Sequence, residues 1–196
     1  MSSAAPPAQQ NGESIPGAST LGMALLLVAL GVLFVASVAF YLLMRVRLPN
    51  WPPPGAPGLP WQLWLSTLLL IVSSMTMHYA LHSVRSGRQQ ELRLGLWATF
   101  VLALAFLACQ VVAWTPLLAY QARAQANLYK LAFIMLAGLH ALHVVGGLIP
   151  MGIIAVVAAR GGYSVEAHLP VKHIAMYWHF LDVVWLVIFI VLHVTQ

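Results

Sequence analysis

Five apolar stretches, each about as long as a bilayer-spanning helix requires, alternate with short polar segments along this 196-residue chain. Hydrophobic residues make up 61% of it and charged residues 7%. An average soluble domain carries about 25% charged residues. So few charges cannot cover a water-exposed surface, which excludes a soluble globular protein. Disorder is excluded as well, because it requires low hydrophobicity and high charge. The single cysteine, Cys109, rules out a disulfide framework and a Cys-based zinc or iron–sulfur centre. It reads as a small apolar filler. The net charge of +5 comes from a few Arg and Lys near the ends of the apolar runs. That placement points to anchoring at lipid headgroups and to no nucleic-acid partner.

The expected architecture is all-α: a polytopic bundle of five transmembrane helices over residues 21–44, 61–83, 94–120, 128–159 and 174–194. Residues 1–20, rich in Ser, Ala, Pro and Gln, are expected to form a disordered or loosely placed tail. No basic segment precedes the first apolar run, and that run is about twice the length of a signal-peptide core, so it reads as an uncleaved anchor. Arg45 and Arg47 close the first span; Arg85 and Arg88 close the second. These four are candidate phospholipid contacts, although snorkelling alone also explains them. Residues 48–60, LPNWPPPGAPGLP, form a stiff connection that would hold Trp51 and Trp61 at headgroup level. Pro116 should bend or end the third span, and Pro150 should kink the fourth near Gly146 and Gly147. Five Lys and Arg fall on one side of this topology and four on the other. The positive-inside rule thus favours a cytoplasmic N-terminus by one charge.

An ionisable group inside a span costs roughly 2.5–3.5 kcal/mol on insertion scales, so each one needs a reason. Asp182 is placed about two turns inside the fifth span, with His179 three residues earlier on the same face. It reads either as a proton carrier or as a carboxylate clamped by His179 or by a His of the fourth span. The expected polar network joins His140, His143, His179 and Asp182 between the last two spans, with Trp178 and Trp185 as its walls. His140 and His143 would suit metal or haem ligation. Yet Ala137, Gly138, Ala141, Gly146 and Gly147 surround them, and small residues let helices close together, leaving little room for a macrocycle. His78 and His82 lie four apart in the second span, without an acidic or thiol third ligand there. No nucleophile–base–orienter set, paired carboxylates, phosphate loop or HExxH stands in the sequence. The residues therefore lead us to expect no catalytic, cofactor-binding or metal-binding residues on this chain.

Three strings carry a family resemblance. YWHFLDVVW, residues 177–185, resembles the last-helix signature of subunit III of haem–copper respiratory oxidases, the cytochrome c oxidase subunit 3 family. GLHALHVVGG, residues 138–147, resembles the preceding helix, and SSMTMHYA, residues 73–80, its SSxT helix. Five spans resemble the short bacterial form. The resemblance implies a non-catalytic subunit of a proton-pumping oxidase in a bacterial inner membrane, with its N-terminus in the cytoplasm. It implies direct packing on subunit I and contact with other oxidase subunits. It also implies bound phospholipid, haem and copper on neighbouring subunits, and protection of the catalytic subunit during turnover. Two departures stand out. The family's acid in the helix matching the first span aligns with Leu30. Its Q-x-x-E-Y string in the helix matching the third span is here Gln110 followed by Ala113 and Trp114. Alternative readings are a membrane cytochrome b with bis-His haem, an accessory subunit of a quinol oxidase or nitric-oxide reductase, and a small transporter.

Overall fold

The computed structural model describes residues 17–119 and 124–195. Five helices follow one another: α1 (Ala18–Arg47), α2 (Gln62–Arg85), α3 (Gln89–Ala119), α4 (Ala124–Ala159) and α5 (Leu169–Val194). All five are long and apolar enough to cross a membrane, and no strand forms among the described residues. At 1.5 Å per residue, even the 24-residue α2 is about 36 Å long, more than a hydrocarbon core of about 30 Å.

Neighbouring helices close a four-membered ring: α2 on α3, α3 on α4, α4 on α5, α5 on α2. Helix α1 lies outside the ring, against α4 and α5. It buries Phe34, Ser37 and Tyr41, packs Val38, Phe40 and Met44 partly against the core, and leaves much of its remaining apolar surface open. The ring's core is built from Met77, Leu96, Phe106, Leu136, Trp178 and Trp185, all at most 1% exposed.

The tightest seam joins α2 to α3. A Cβ on Gly95 would fall 2.8 Å from the Ala80 Cβ and 3.0 Å from the Thr76 carbonyl oxygen. The turn between these helices is short because Gly87, at φ +72°, takes the left-handed conformation that ends α2. Its N–H reaches the Val84 carbonyl, and the Arg88 N–H reaches that of Ser83. Glu91 in the first turn of α3 faces the helix's positive end and pairs with Arg88 at 2.8 Å.

Several boundaries differ from the sequence expectation. Helix α3 begins at Gln89, five residues before the expected 94, since its polar first turn is still helical. Helix α5 begins at Leu169, not at 174. Pro170 sits in its first turn, where a missing N–H costs nothing, and carries Lys172 and His173 into the helix. Ala18, Ser19 and Thr20 belong to α1 and not to the tail; residues 1–16 of the tail lie outside the described residues, as do Tyr120 and Arg123. Pro116 ends nothing: α3 runs three residues beyond it. Helix α4 likewise continues through Pro150.

The interfacial residues also have protein partners. Trp51 packs on protein as well. It is half-buried, with its ring edge-on to Tyr41 (centroids 5.2 Å) and Tyr129 (4.8 Å). Trp61 is exposed. Arg45 donates from Nε to the Thr195 carbonyl at 3.1 Å, and Tyr41 meets the Thr195 hydroxyl at 3.0 Å, so α1 holds the end of α5. Arg93 does the same at the opposite surface, donating to the Ala158 carbonyl at 3.0 Å. Arg45→Leu should cost about 1 kcal/mol. Hydrogen exchange at the last amides of α5 should speed up accordingly; unchanged exchange there would show that Arg45 serves lipid instead.

Candidate functional site

Helix α5 carries the buried acid, Asp182, within an apolar span. The early start of this helix moves Asp182 to its centre, thirteen residues after Leu169 and twelve before Val194. The expected position, two turns inside one end, is therefore corrected. Asp182 is buried, and its Oδ2 lies 3.6 Å from His179 Nδ1. That is beyond hydrogen-bond length. His179 Nδ1 is instead 2.8 Å from the Ser74 hydroxyl on α2. The His78 ring, also on α2, stands 6.4 Å from the His179 ring.

The four expected network residues thus divide into two groups. His179 and Asp182 face α2. His140 and His143 face elsewhere and form no hydrogen bond with them among the described residues. His140 is fully buried, and neither ring nitrogen has a hydrogen-bond partner there. Its ring is enclosed by Trp185 at 5.1 Å, Phe106 at 5.9 Å and Phe34 at 6.2 Å. A haem on His140 would have to displace these rings. His143 Nδ1 lies 2.7 Å from the Leu139 carbonyl of its own helix, so a protonated Nδ1 donates there. The physical reason for the division is the helical angle: His140 turns inward to α3, while His143, three residues on, turns toward α1, where Phe34 meets its ring edge at 5.1 Å. Among the described residues, no three His, Cys, Asp or Glu side chains converge as a metal site.

Trp185 walls the His140 pocket, and both tryptophans also reach α2 through their indole nitrogens. Trp178 donates its indole N–H to the Ser73 hydroxyl at 3.1 Å, and Trp185 donates to the Thr67 hydroxyl at 3.0 Å. Both partners are on α2. Ser66 accepts from the Gln110 amide of α3 at 3.0 Å, and Thr76 meets Thr99 of α3 at 2.8 Å. Helix α2 therefore presents a stripe of hydroxyls, Ser66, Thr67, Ser73, Ser74 and Thr76, to its two neighbours. Sequence reasoning missed this stripe. Its signal was the seven-residue repeat, Ser66 to Ser73 and Thr67 to Ser74, which keeps hydroxyls on one face over two turns.

Of the small residues near His140, Gly147 makes the close approach. A Cβ there would fall 2.6 Å from the Tyr177 ring of α5. Gly146 meets nothing within 4 Å and borders a groove of about 490 Å³ between α1, α4 and α5. Leu26, Leu30, Pro150 and Ile154 form apolar walls of this groove, with His143 and Tyr177 beside them. At its surface end His173 Nε2 lies 3.3 Å from the Thr20 hydroxyl. A second apolar groove, of about 440 Å³, runs further along α1 past Gly31, Phe34 and Phe180. All four candidate lipid-contact arginines are exposed, and Arg45 and Arg88 also have protein partners, Thr195 and Glu91.

Comparison with known proteins adds an independent line. The family model described as Cytochrome c oxidase subunit III matches residues 13–195. A protein of Thermostichus vulcanus named cytochrome c oxidase subunit 3 is 31% identical over 180 residues, covering 91% of this chain and 88% of that protein. The one from Synechocystis is 33% identical over 91% of this chain and 76% of its own length. A probable cytochrome c oxidase subunit 3 of Mycobacterium bovis is 30% identical over 82% and 79%.

Proposed function

Because this chain belongs to the cytochrome c oxidase subunit III family, we propose that it is a non-catalytic, lipid-retaining brace for the subunit that reduces oxygen. It is a multi-pass membrane protein of the short, five-helix bacterial form and one component of a multi-subunit oxidase. Under this reading it packs on subunit I of a proton-pumping haem–copper complex that takes electrons from cytochrome c. The haem and copper belong to its neighbours. The complex sits in the bacterial inner membrane, with the N-terminus of this chain in the cytoplasm.

The observation that carries the proposal is the groove beside α1. Its walls are apolar along Leu26, Leu30, Pro150 and Ile154, and at one end stands His173, whose Nε2 lies 3.3 Å from the Thr20 hydroxyl. That is the profile of a phospholipid: an acyl chain below and a headgroup above. Leu30, where the family's acid aligns, lies on the wall and keeps it apolar. Burial of an acyl chain there contributes packing contacts between helices that otherwise meet over a small area.

The test is to isolate the oxidase from native membranes by a tag on this chain, then to measure haem, copper, subunits and phospholipid phosphorus. Haem and copper on co-purified subunits, with tightly held phospholipid that Leu30→Trp displaces, are expected. A chain that comes out alone and binds haem itself would overturn the proposal.

A further inference from the structure

We infer that the groove between α2 and α5 seats a transmembrane helix of another oxidase subunit, and that this helix brings a hydrogen-bond donor to Asp182 at mid-membrane. The inference rests on the family reading above and adds which face docks and through which residue. Asp182 is 7% exposed, yet neither of its carboxylate oxygens has a hydrogen-bond partner among the described residues. A carboxylate offers about four acceptor positions. His179 Nδ1, at 3.6 Å, is already engaged with Ser74 and would fill one of the four even if it turned. A buried acid with its acceptors unanswered is costly in a bilayer and marks a place where something else arrives.

The geometry says where. Asp182 borders a groove of about 350 Å³ on the outer side of the helix ring. Ile71, Met75 and Val183 rim it and are 39%, 65% and 60% exposed. An apolar rim around a small polar cluster, Asp182 with Ser74 and His179, is a form in which membrane helices meet, with packing supplying contact and a polar pair fixing the register.

The chemistry says what. With twelve or thirteen residues to either end of α5, Asp182 is about 20 Å from both helix ends. Headgroups and bulk water stay outside that depth, and acyl chains carry no donor. The occupant must therefore be a protein helix bearing a hydroxyl, amide, indole or guanidinium group at the same level. A second copy of this chain would meet it through the same patch and bring carboxylate toward carboxylate. A different subunit avoids this.

The test places a photo-crosslinking amino acid at position 75 or 183, or at Val101 on the exposed surface of α3 as a control, in cells producing the whole oxidase with Asp182 intact. Adducts from 75 and 183 should contain a transmembrane peptide of another oxidase subunit with a donor side chain, and those from Val101 should not. Separately, Asp182→Leu should lower the fraction of complexes that retain this chain through detergent washing by about three- to twentyfold, and Asp182→Asn by less. Adducts only with phospholipid, or only with a second copy, would overturn the inference while leaving the family reading intact. Failure of any haem-bearing subunit to co-purify with the unmodified chain would instead overturn the reading beneath it.

Discussion

Trp185→Ala should destabilise the bundle by about 3 kcal/mol, the lower end of the range for truncating a buried Trp. The side chain is fully buried and touches three other helices: Thr67 of α2, Phe106 of α3 and His140 of α4. In lipid the hydrophobic part of that cost is small, because an acyl chain is as apolar as a side chain. What remains is the loss of dispersion contacts around the cavity and an unanswered Thr67 hydroxyl. Trp185→Phe should keep most of the ring contacts and cost about 1 kcal/mol for the lost N–H donor. Denaturation in mixed detergent micelles, with the two variants beside the parent chain, gives both numbers. An Ala variant that unfolds with the parent chain would mean that Trp185 is not the keystone of the ring.

Gly95→Leu should have the second large effect, and its cause is the opposite one. Here there is no room. The nearest neighbours of a new Cβ include the Thr76 carbonyl oxygen at 3.0 Å and the Ala80 Cα at 3.1 Å, backbone atoms that cannot turn aside. Overpacking of this kind costs about 1–3 kcal/mol for one or two methylenes, and leucine adds four carbons. The α2–α3 seam must open, which also separates Thr76 from Thr99. Gly95→Ala should lie between the parent and the leucine variant. Ala80→Gly should restore part of Gly95→Ala by removing the Cβ at 2.8 Å, and a double-mutant cycle would read that coupling. Additive effects of the two changes would place the seam elsewhere.

The helices were legible because each apolar run is longer than a bilayer is thick. Their ends were less so. Lys172 and His173 read as loop, yet Pro170 starts a helix through them, and this shift carries Asp182 from two turns inside the span to the middle of the helix. That displacement changes its meaning, since a carboxylate near an end can reach water and one at the centre cannot. Partners across helices were the least legible. His140 and Asp182 looked like neighbours because both are polar, but polarity does not reveal azimuth, and the two face different helices. Ser and Thr cost little in a span, so the hydroxyls of α2 do not stand out in the sequence; their role follows from Trp178, Trp185 and His179, which meet them. Close approach was expected at several glycines of α4. It occurs at Gly147, while Gly146, one residue before it, lines an open groove because successive residues turn by about 100°.

Whether this chain supports the chemistry or takes part in it can be read from oxygen-consumption progress curves. The oxidase would be prepared with the chain present and with it stripped away, at equal haem content. A brace that retains lipid beside the catalytic subunit leaves the initial rate unchanged, and the stripped enzyme then loses activity faster as turnovers accumulate. An initial rate that vanishes on removal, with the haem spectrum intact, would show that the chain belongs to the catalytic path itself.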